Sequence, residues 1–179
     1  AVRKCGEYEM MVDIHDEYRP TGFSRTYPNL MTQEGIRGNE EMPDATHNTI
    51  LPFTRFLAGA ADYTLCYFNG RVKNTKAHQL AMAAVYYSPL QCRFWYVRPE
   101  FYKGEEELEF WKAIPSVWDD SRALDGEIGE YIIQARRSGN DWFVGAMTNT
   151  AARTVTVMTD FLEPGKKYTA HLYEDDDKL

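Results

Sequence analysis

The stretch from Asp16 to Thr54 constrains the fold most strongly. It carries Pro20, Gly22, Pro28, Gly35, Gly38, Pro43 and Pro52, spaced too closely for long helices or strands. Irregular segments of this length in a compact domain are either functional or disordered. Phe23, Tyr27, Leu30, Met31, Ile36, Leu51 and Phe53 are interleaved with the breakers and offer more apolar surface than a disordered segment carries. The stretch therefore reads as an ordered, loop-rich segment that builds a site.

Regular elements are expected on either side of it. Val2 to Met11 reads as the end of a helix, followed by a short buried strand over Met11 to His15. Ala77, Leu80, Ala81, Ala84 and Val85 recur at three- and four-residue spacings, which predicts an amphipathic helix over Thr75 to Tyr87, stopped before Pro89. A shorter helix is predicted over Glu105 to Ala113, with Glu106, Glu107 and Glu109 favourable in its early turns. After Pro115 the texture changes. Ile128 to Arg136, Asp141 to Thr148, Arg153 to Leu162 and Tyr168 to Tyr173 are β-rich runs separated by turn residues, which predicts an antiparallel meander and a boundary near 115–126.

Composition narrows the function classes. With 179 residues, 44% hydrophobic and 26% charged, the chain is of ordinary globular make-up. A net charge of −7 argues against a nucleic-acid partner, which would need a basic stripe. No apolar stretch reaches the ~20 residues of a membrane span. The chain starts at Ala1 with no leader ahead of the fold, as expected of a processed chain or a piece of a longer one. Cys5, Cys66 and Cys92 are an odd set at irregular spacing, matching neither a disulfide framework nor a zinc motif. Aromatic residues, 14% of the chain with 12 Tyr and 4 Trp, would suit a ring-stacking ligand surface as well as a core.

Carboxylates gather in the irregular stretch: Asp13, Asp16, Glu17, Glu34, Glu40, Glu41 and Asp44. Acid/base chemistry on a sugar needs two carboxyl groups facing one bond, and a hard cation needs several oxygen ligands. The count alone serves either use, and a solvated acidic loop would show it too. His15 and His47 read either as buried, hydrogen-bonded residues or as donors to a substrate hydroxyl.

The ordered run Val12–Asp13–Ile14–His15–Asp16–Glu17–Tyr18–Arg19–Pro20–Thr21–Gly22, then Arg25 to Asn29, then Glu34–Gly35–Ile36–Arg37–Gly38–Asn39–Glu40, resembles the sequence blocks of glycoside hydrolase family 97. Later blocks agree: His47–Asn48, Leu51 to Arg55, Asp62–Tyr63–Thr64, Ser88 to Gln91, Trp118–Asp119, Gly129–Glu130–Tyr131 and Gly145 to Asn149. That family comprises α-glucosidases and α-galactosidases best known from Bacteroidetes. Its members are several times longer, with an N-terminal β-sandwich, a central barrel and a C-terminal β-domain. The resemblance implies an α/β fold: residues 1–118 as the C-terminal half of a (β/α)8 TIM-type barrel, and residues 119–179 as an incomplete antiparallel β-sandwich-like domain.

It also implies roles. Glu40 matches the general acid and Glu34 a ligand of an active-site calcium, with Glu40 and Asp16 in the same metal shell. Asp16 stands where inverting members carry a base and calcium-shell Glu and retaining members a Gly, so it is assigned as base or calcium ligand. A retaining nucleophile would lie before residue 1, and Asp13 reads instead as a strand-end hydrogen-bonding residue. His15, Arg25, Tyr27 and His47 are the expected substrate contacts, with Trp95 a further stacking surface. The expected partners are an oligosaccharide and the remainder of the parent chain, and the expected location is periplasmic or secreted. Two other readings remain: a non-catalytic carbohydrate binder that uses Tyr131, Trp142 and Phe143, and a degenerate barrel that binds without hydrolysis.

Overall fold

The computed structural model describes residues 1–15, 19–65, 70–93 and 98–175. Helix α1 (Val2–Glu7) leads into strand β1 (Val12–Ile14), which pairs in parallel with β2 (Leu30–Gln33). Val12 lies opposite Leu30 and Ile14 opposite Gln33, with an irregularity after Val12. Parallel neighbours need a long crossover, and the first proline- and glycine-rich loop supplies one. A second parallel contact, the bridge between Leu65 and Arg93, spans helix α3 (Lys76–Val85).

Helix α2 (Ala45–Ile50) begins where Asp44 accepts a 2.8 Å hydrogen bond from the His47 N–H, and it runs into a 3-10 turn over Leu51–Phe53 at Pro52. Thr75 caps α3 in the same way through the His78 N–H. Helix α3 buries most of its length: Leu80, Met82, Ala83, Ala84 and Val85 are all buried, with polar His78 and Gln79 buried beside them. Helix α4 (Leu108–Ala113) buries Trp111.

The C-terminal part is a meander of β3 (Asp120–Glu127), β4 (Tyr131–Ser138) and β5 (Asp141–Thr148), antiparallel and in that spatial order. Helix α3 lies against β5 at Gly145, where a Cβ would stand 2.6 Å from the Ala81 carbonyl oxygen and 2.8 Å from Val85 Cγ2. Only glycine permits that approach. Arg136 of β4 donates to the carbonyls of Ala84 (2.7 Å) and Val85 (2.9 Å), tying down the C-terminal end of α3. The core therefore runs across both parts, from Leu51, Tyr63 and Leu65 through α3 to Ile132 and Met147.

The α/β character and the antiparallel C-terminal sheet agree with expectation. The half-barrel expected of residues 1–118 is not visible: among the described residues, parallel pairing is confined to β1–β2 and the Leu65–Arg93 bridge. Parallel strands are normally covered on both faces and flanked on both sides, and here β1 and β2 have only each other. Among the described residues the C-terminal part forms one three-stranded sheet with no second layer. Arg153 to Leu162 and Tyr168 to Tyr173 form no strand, because their β-prone side chains lack a partner edge: Val157 is 36% exposed, Met158 65% and Leu172 79%. Conversely, β3 is a strand the sequence did not announce. Its residues Asp-Ser-Arg-Ala-Leu-Asp-Gly-Glu lack β-branched side chains, and it forms as a charged edge on the more apolar β4.

Candidate active site

The ends of the two parallel strands bring the chemistry together. Asp13 and His15 lie at the C-terminal end of β1. Glu34 follows β2 directly, its N–H bonded to the Ile14 carbonyl at 2.8 Å, which sets its carboxylate beside His15. Sites at the C-terminal ends of parallel strands are the rule in α/β folds.

Glu40 arrives on the 3-10 turn Asn39–Glu41. Fully buried Asn39 anchors that turn: its N–H donates to the Tyr63 carbonyl (3.1 Å) and its Nδ2 to Gln79 Oε1 (2.9 Å). Gly38 clears the space in front of the turn. A Cβ there would lie 2.7 Å from Glu40 Oε2 and 3.0 Å from Glu34 Oε1, so the two carboxylates close over a backbone that has no side chain.

Two further groups complete the arrangement. Asp62, fully buried, accepts from the Cys92 N–H at 2.7 Å through Oδ1 and contacts His15 Nδ1 at 3.0 Å through Oδ2. Arg55 donates to the carbonyls of Gln33, Glu34, Gly35, Gly59 and Ala60, at 2.8 to 3.1 Å. One guanidinium thus fixes both the segment that carries Glu34 and the one leading to Asp62.

Crowded carboxylates hold protons. Asp13 is pushed up to about 7, by burial first and then by its hydrogen bond to Asp62 and that residue's charge. Glu34 is also pushed up to about 7; burial is the main cause, and Glu40 beside it adds to the rise against the lowering pull of His15. Burial opposes a charge on His15, but Glu34, Asp62 and Glu40 outweigh it and raise its pKa. Burial pushes the Cys92 thiol up to about 12, which makes it a poor nucleophile.

The two glutamates offer the oxygen ligands that a hard cation takes, and the His15 imidazole does not. Donor atoms of His15, Glu34 and Glu40 lie within 4.8 Å of one another, and Glu40 Oε2 is buried with no hydrogen-bond partner among the described residues. A cation there would find oxygen ligands and relieve the like-charge crowding.

Of the residues singled out from sequence, His15, Glu34 and Glu40 come together: His15 Nε2 stands 3.4 Å from Glu40 Oε1, and Nδ1 3.8 Å from Glu34 Oε2. Asp16 and Trp95 lie outside the described residues. Arg25 is exposed on the 3-10 turn Phe23–Arg25, and Tyr27 packs its ring 4.6 Å from that of Phe23; among the described residues neither bonds to the carboxylates. His47 lies on α2, its Nε2 buried without a hydrogen-bond partner among the described residues; burial and then Arg37 lower its pKa. Asp62, Arg55 and Gly38 were not singled out. Each stands in a sequence block quoted above, but its role depends on contacts across the fold that no local spacing encodes.

Comparison with known proteins covers both parts of the chain. Residues 1–36 match the family model described as glycoside hydrolase 97, and residues 117–179 the one described as glycosyl-hydrolase 97 C-terminal, oligomerisation. A retaining alpha-galactosidase of Bacteroides thetaiotaomicron is 35% identical over 198 residues, covering 98% of this chain and 29% of that protein. A probable retaining alpha-galactosidase of Streptomyces bingchenggensis is 34% identical over 155 residues, covering 84% of this chain and 24% of that protein. Among solved structures, a glycoside hydrolase family 97 enzyme from Pseudoalteromonas sp. strain K8 in complex with acarbose superposes with a TM-score of 0.81 at 36% identity, covering 92% of this chain and 28% of that one. A variant of that enzyme in complex with panose superposes equally well, at 35% identity. The chain spans less than a third of the length of each of these relatives.

Proposed function

The chain belongs to glycoside hydrolase family 97, and on that premise we propose that it is part of an α-glycosidase that hydrolyses an α-galactoside or α-glucoside in an oligosaccharide. Residues 1–118 contribute to the catalytic (β/α)8 barrel and residues 119–179 to a C-terminal β-domain. The alpha-galactosidase relatives and the sugars held by the Pseudoalteromonas structures support the substrate class.

The observation that carries the mechanism is the unequal exposure of the paired glutamates. Glu40 has a third of its side chain open to solvent and Glu34 about a tenth (33% and 11%). Glu40 can reach a glycosidic oxygen; Glu34 can hold a cation or a proton behind it. Glu40 acts as the general acid, protonating the leaving-group oxygen as an oxocarbenium-like transition state develops. His15 offers a ring nitrogen on the open side of the cluster for a sugar hydroxyl. Calcium, held by Glu34 and Glu40 with Asp16 as a further ligand, would supply charge stabilisation and a fixed point for the sugar. Asp62 holds His15 and Arg55 holds the backbone of Glu34 from behind. The enzyme acts in the periplasm or outside the cell.

The test is to assay the full-length enzyme against aryl α-galactosides and α-glucosides before and after calcium chelation, and with Glu34→Ala. Hydrolysis of one sugar class, lost on chelation and restored by calcium, with weaker calcium binding in the variant, is the expected outcome. Undiminished activity and calcium affinity after both treatments would remove the metal role; no hydrolysis of any α-glycoside would remove the enzyme.

A further inference from the structure

Asp62 is the most deeply placed acid of the cluster, with no solvent-accessible side chain. A carboxylate so buried persists only where donors meet it. Both oxygens are used: Oδ1 takes the Cys92 N–H at 2.7 Å, and Oδ2 faces His15 Nδ1 at 3.0 Å. Glu34 is 0.8 Å further from Nδ1 than Asp62 (3.8 against 3.0 Å). Because a carboxylate only accepts, its contact with Nδ1 puts the ring proton there and leaves Nε2 facing Glu40 Oε1 at 3.4 Å.

The carrier of Asp62 is rigid. Ala61 N–H bonds the Tyr87 carbonyl at 3.1 Å, Leu65 N–H the Cys92 carbonyl at 3.0 Å, and Tyr63 OH reaches Asn48 Oδ1 at 2.7 Å. Arg55 holds the carbonyl of Ala60 just before it. A fixed acceptor on a fixed segment is what a reproducible imidazole orientation requires.

We propose that Asp62 is a positioning residue for hydrolysis: it holds His15 by Nδ1–H, so that Nε2 is the nitrogen presented to Glu40 and to the substrate. This rests on the glycosidase reading above, and Asp62 itself touches neither sugar nor cation.

The experiment is a double-mutant cycle in the full-length enzyme with Asp62→Asn, His15→Gln and both together. kcat and KM are measured on an aryl α-galactoside and an aryl α-glucoside. Asp62→Asn is expected to lower kcat by about 10- to 100-fold, the usual cost of removing an orienting partner, with KM changed far less. In the His15→Gln background the same change is expected to have no further effect on kcat. Losses that multiply across the cycle would overturn the proposal, because they would mean that Asp62 acts independently of His15. Nitrogen NMR of the histidine rings in the wild-type enzyme decides the matter even if Asp62→Asn does not fold: a ring protonated at Nδ1 and absent in His15→Gln is expected, and protonation of that ring at Nε2 alone would overturn the proposal. An enzyme inactive on every α-glycoside would sink the functional reading, and the ring resonance would still report how His15 is held.

Discussion

Two polar assemblies lie side by side in this protein and are built on opposite terms. In one, Asp13, His15, Glu34, Glu40 and Asp62 crowd like charges together and leave Glu40 Oε2 and Asp13 Oδ1 without partners among the described residues. In the other, neutral groups satisfy one another: Tyr63 OH donates to Asn48 Oδ1 (2.7 Å), Asn48 Nδ2 meets His78 Nε2 (3.2 Å), and Tyr86 OH donates to the Asn48 carbonyl (2.8 Å). One segment serves both, because Tyr63 faces the neutral network while its neighbour Asp62 faces the charged cluster. A satisfied network stabilises and fixes a position; a frustrated one stores the capacity to bind a cation, hold a proton or meet a substrate. Neither residue type nor burial alone separates them, since Asp62 is as buried as Asn48.

The comparison breaks most visibly at Glu40. Glu40→Gln is expected to lower hydrolysis of unactivated α-glycosides by about 10²–10⁴-fold, the worth of a positioned acid, and to spare aryl glycosides whose leaving groups need little protonation. Rates across a leaving-group series check this; equal loss on every substrate would take the acid role away from Glu40. The neutral network should respond in stability instead. Tyr63→Phe strips a buried acceptor of its donor and is expected to cost about 1–3 kcal/mol in denaturant unfolding, with the leaving-group dependence of hydrolysis unaltered.

The smallest effect, and the one that sets the two assemblies against each other by sign, is in pH. Asp13 is raised from 3.8 to about 7, so the folded state takes up its proton more readily than the unfolded one, and its stabilisation is lost as pH rises through 7. Burial lowers His78 from 6.5 to about 4, so its contribution is lost as pH falls from 6.5 through 4. Melting temperatures of the metal-free protein from pH 4 to 8 should therefore diverge. Relative to Asp13→Asn, the wild type weakens towards high pH; relative to His78→Gln, it weakens towards low pH. The same sign for both would mean that one assembly has been misread.

How far the sequence reaches follows the same division. Helix α3, β5 and the proline-rich connection are legible because periodicity, alternation and breakers are local signals. Glu34 and Glu40 are legible as a spaced pair within a recognisable block. Asp62 is not: its partners His15 and Cys92 are distant in the chain, and only the fold makes them neighbours. Strand β3 escapes for a related reason, since its pairing with β4 rather than its own composition makes it a strand. The runs over Arg153 to Leu162 and Tyr168 to Tyr173 err the other way, with strand-like alternation but no edge to join.

The central claim is that sugar binds at the carboxylate cluster and that Glu40 faces the scissile bond. A crystal structure of the full-length enzyme, inactivated by Glu40→Gln and soaked with an α-linked oligosaccharide, tests it directly. The glycosidic oxygen is expected within hydrogen-bond reach of the residue 40 side chain, about 2.6–3.2 Å, with His15 on a neighbouring hydroxyl. Sugar seated on the sheet against Tyr131, Trp142 and Phe143, with nothing between Glu34 and His47, would contradict it.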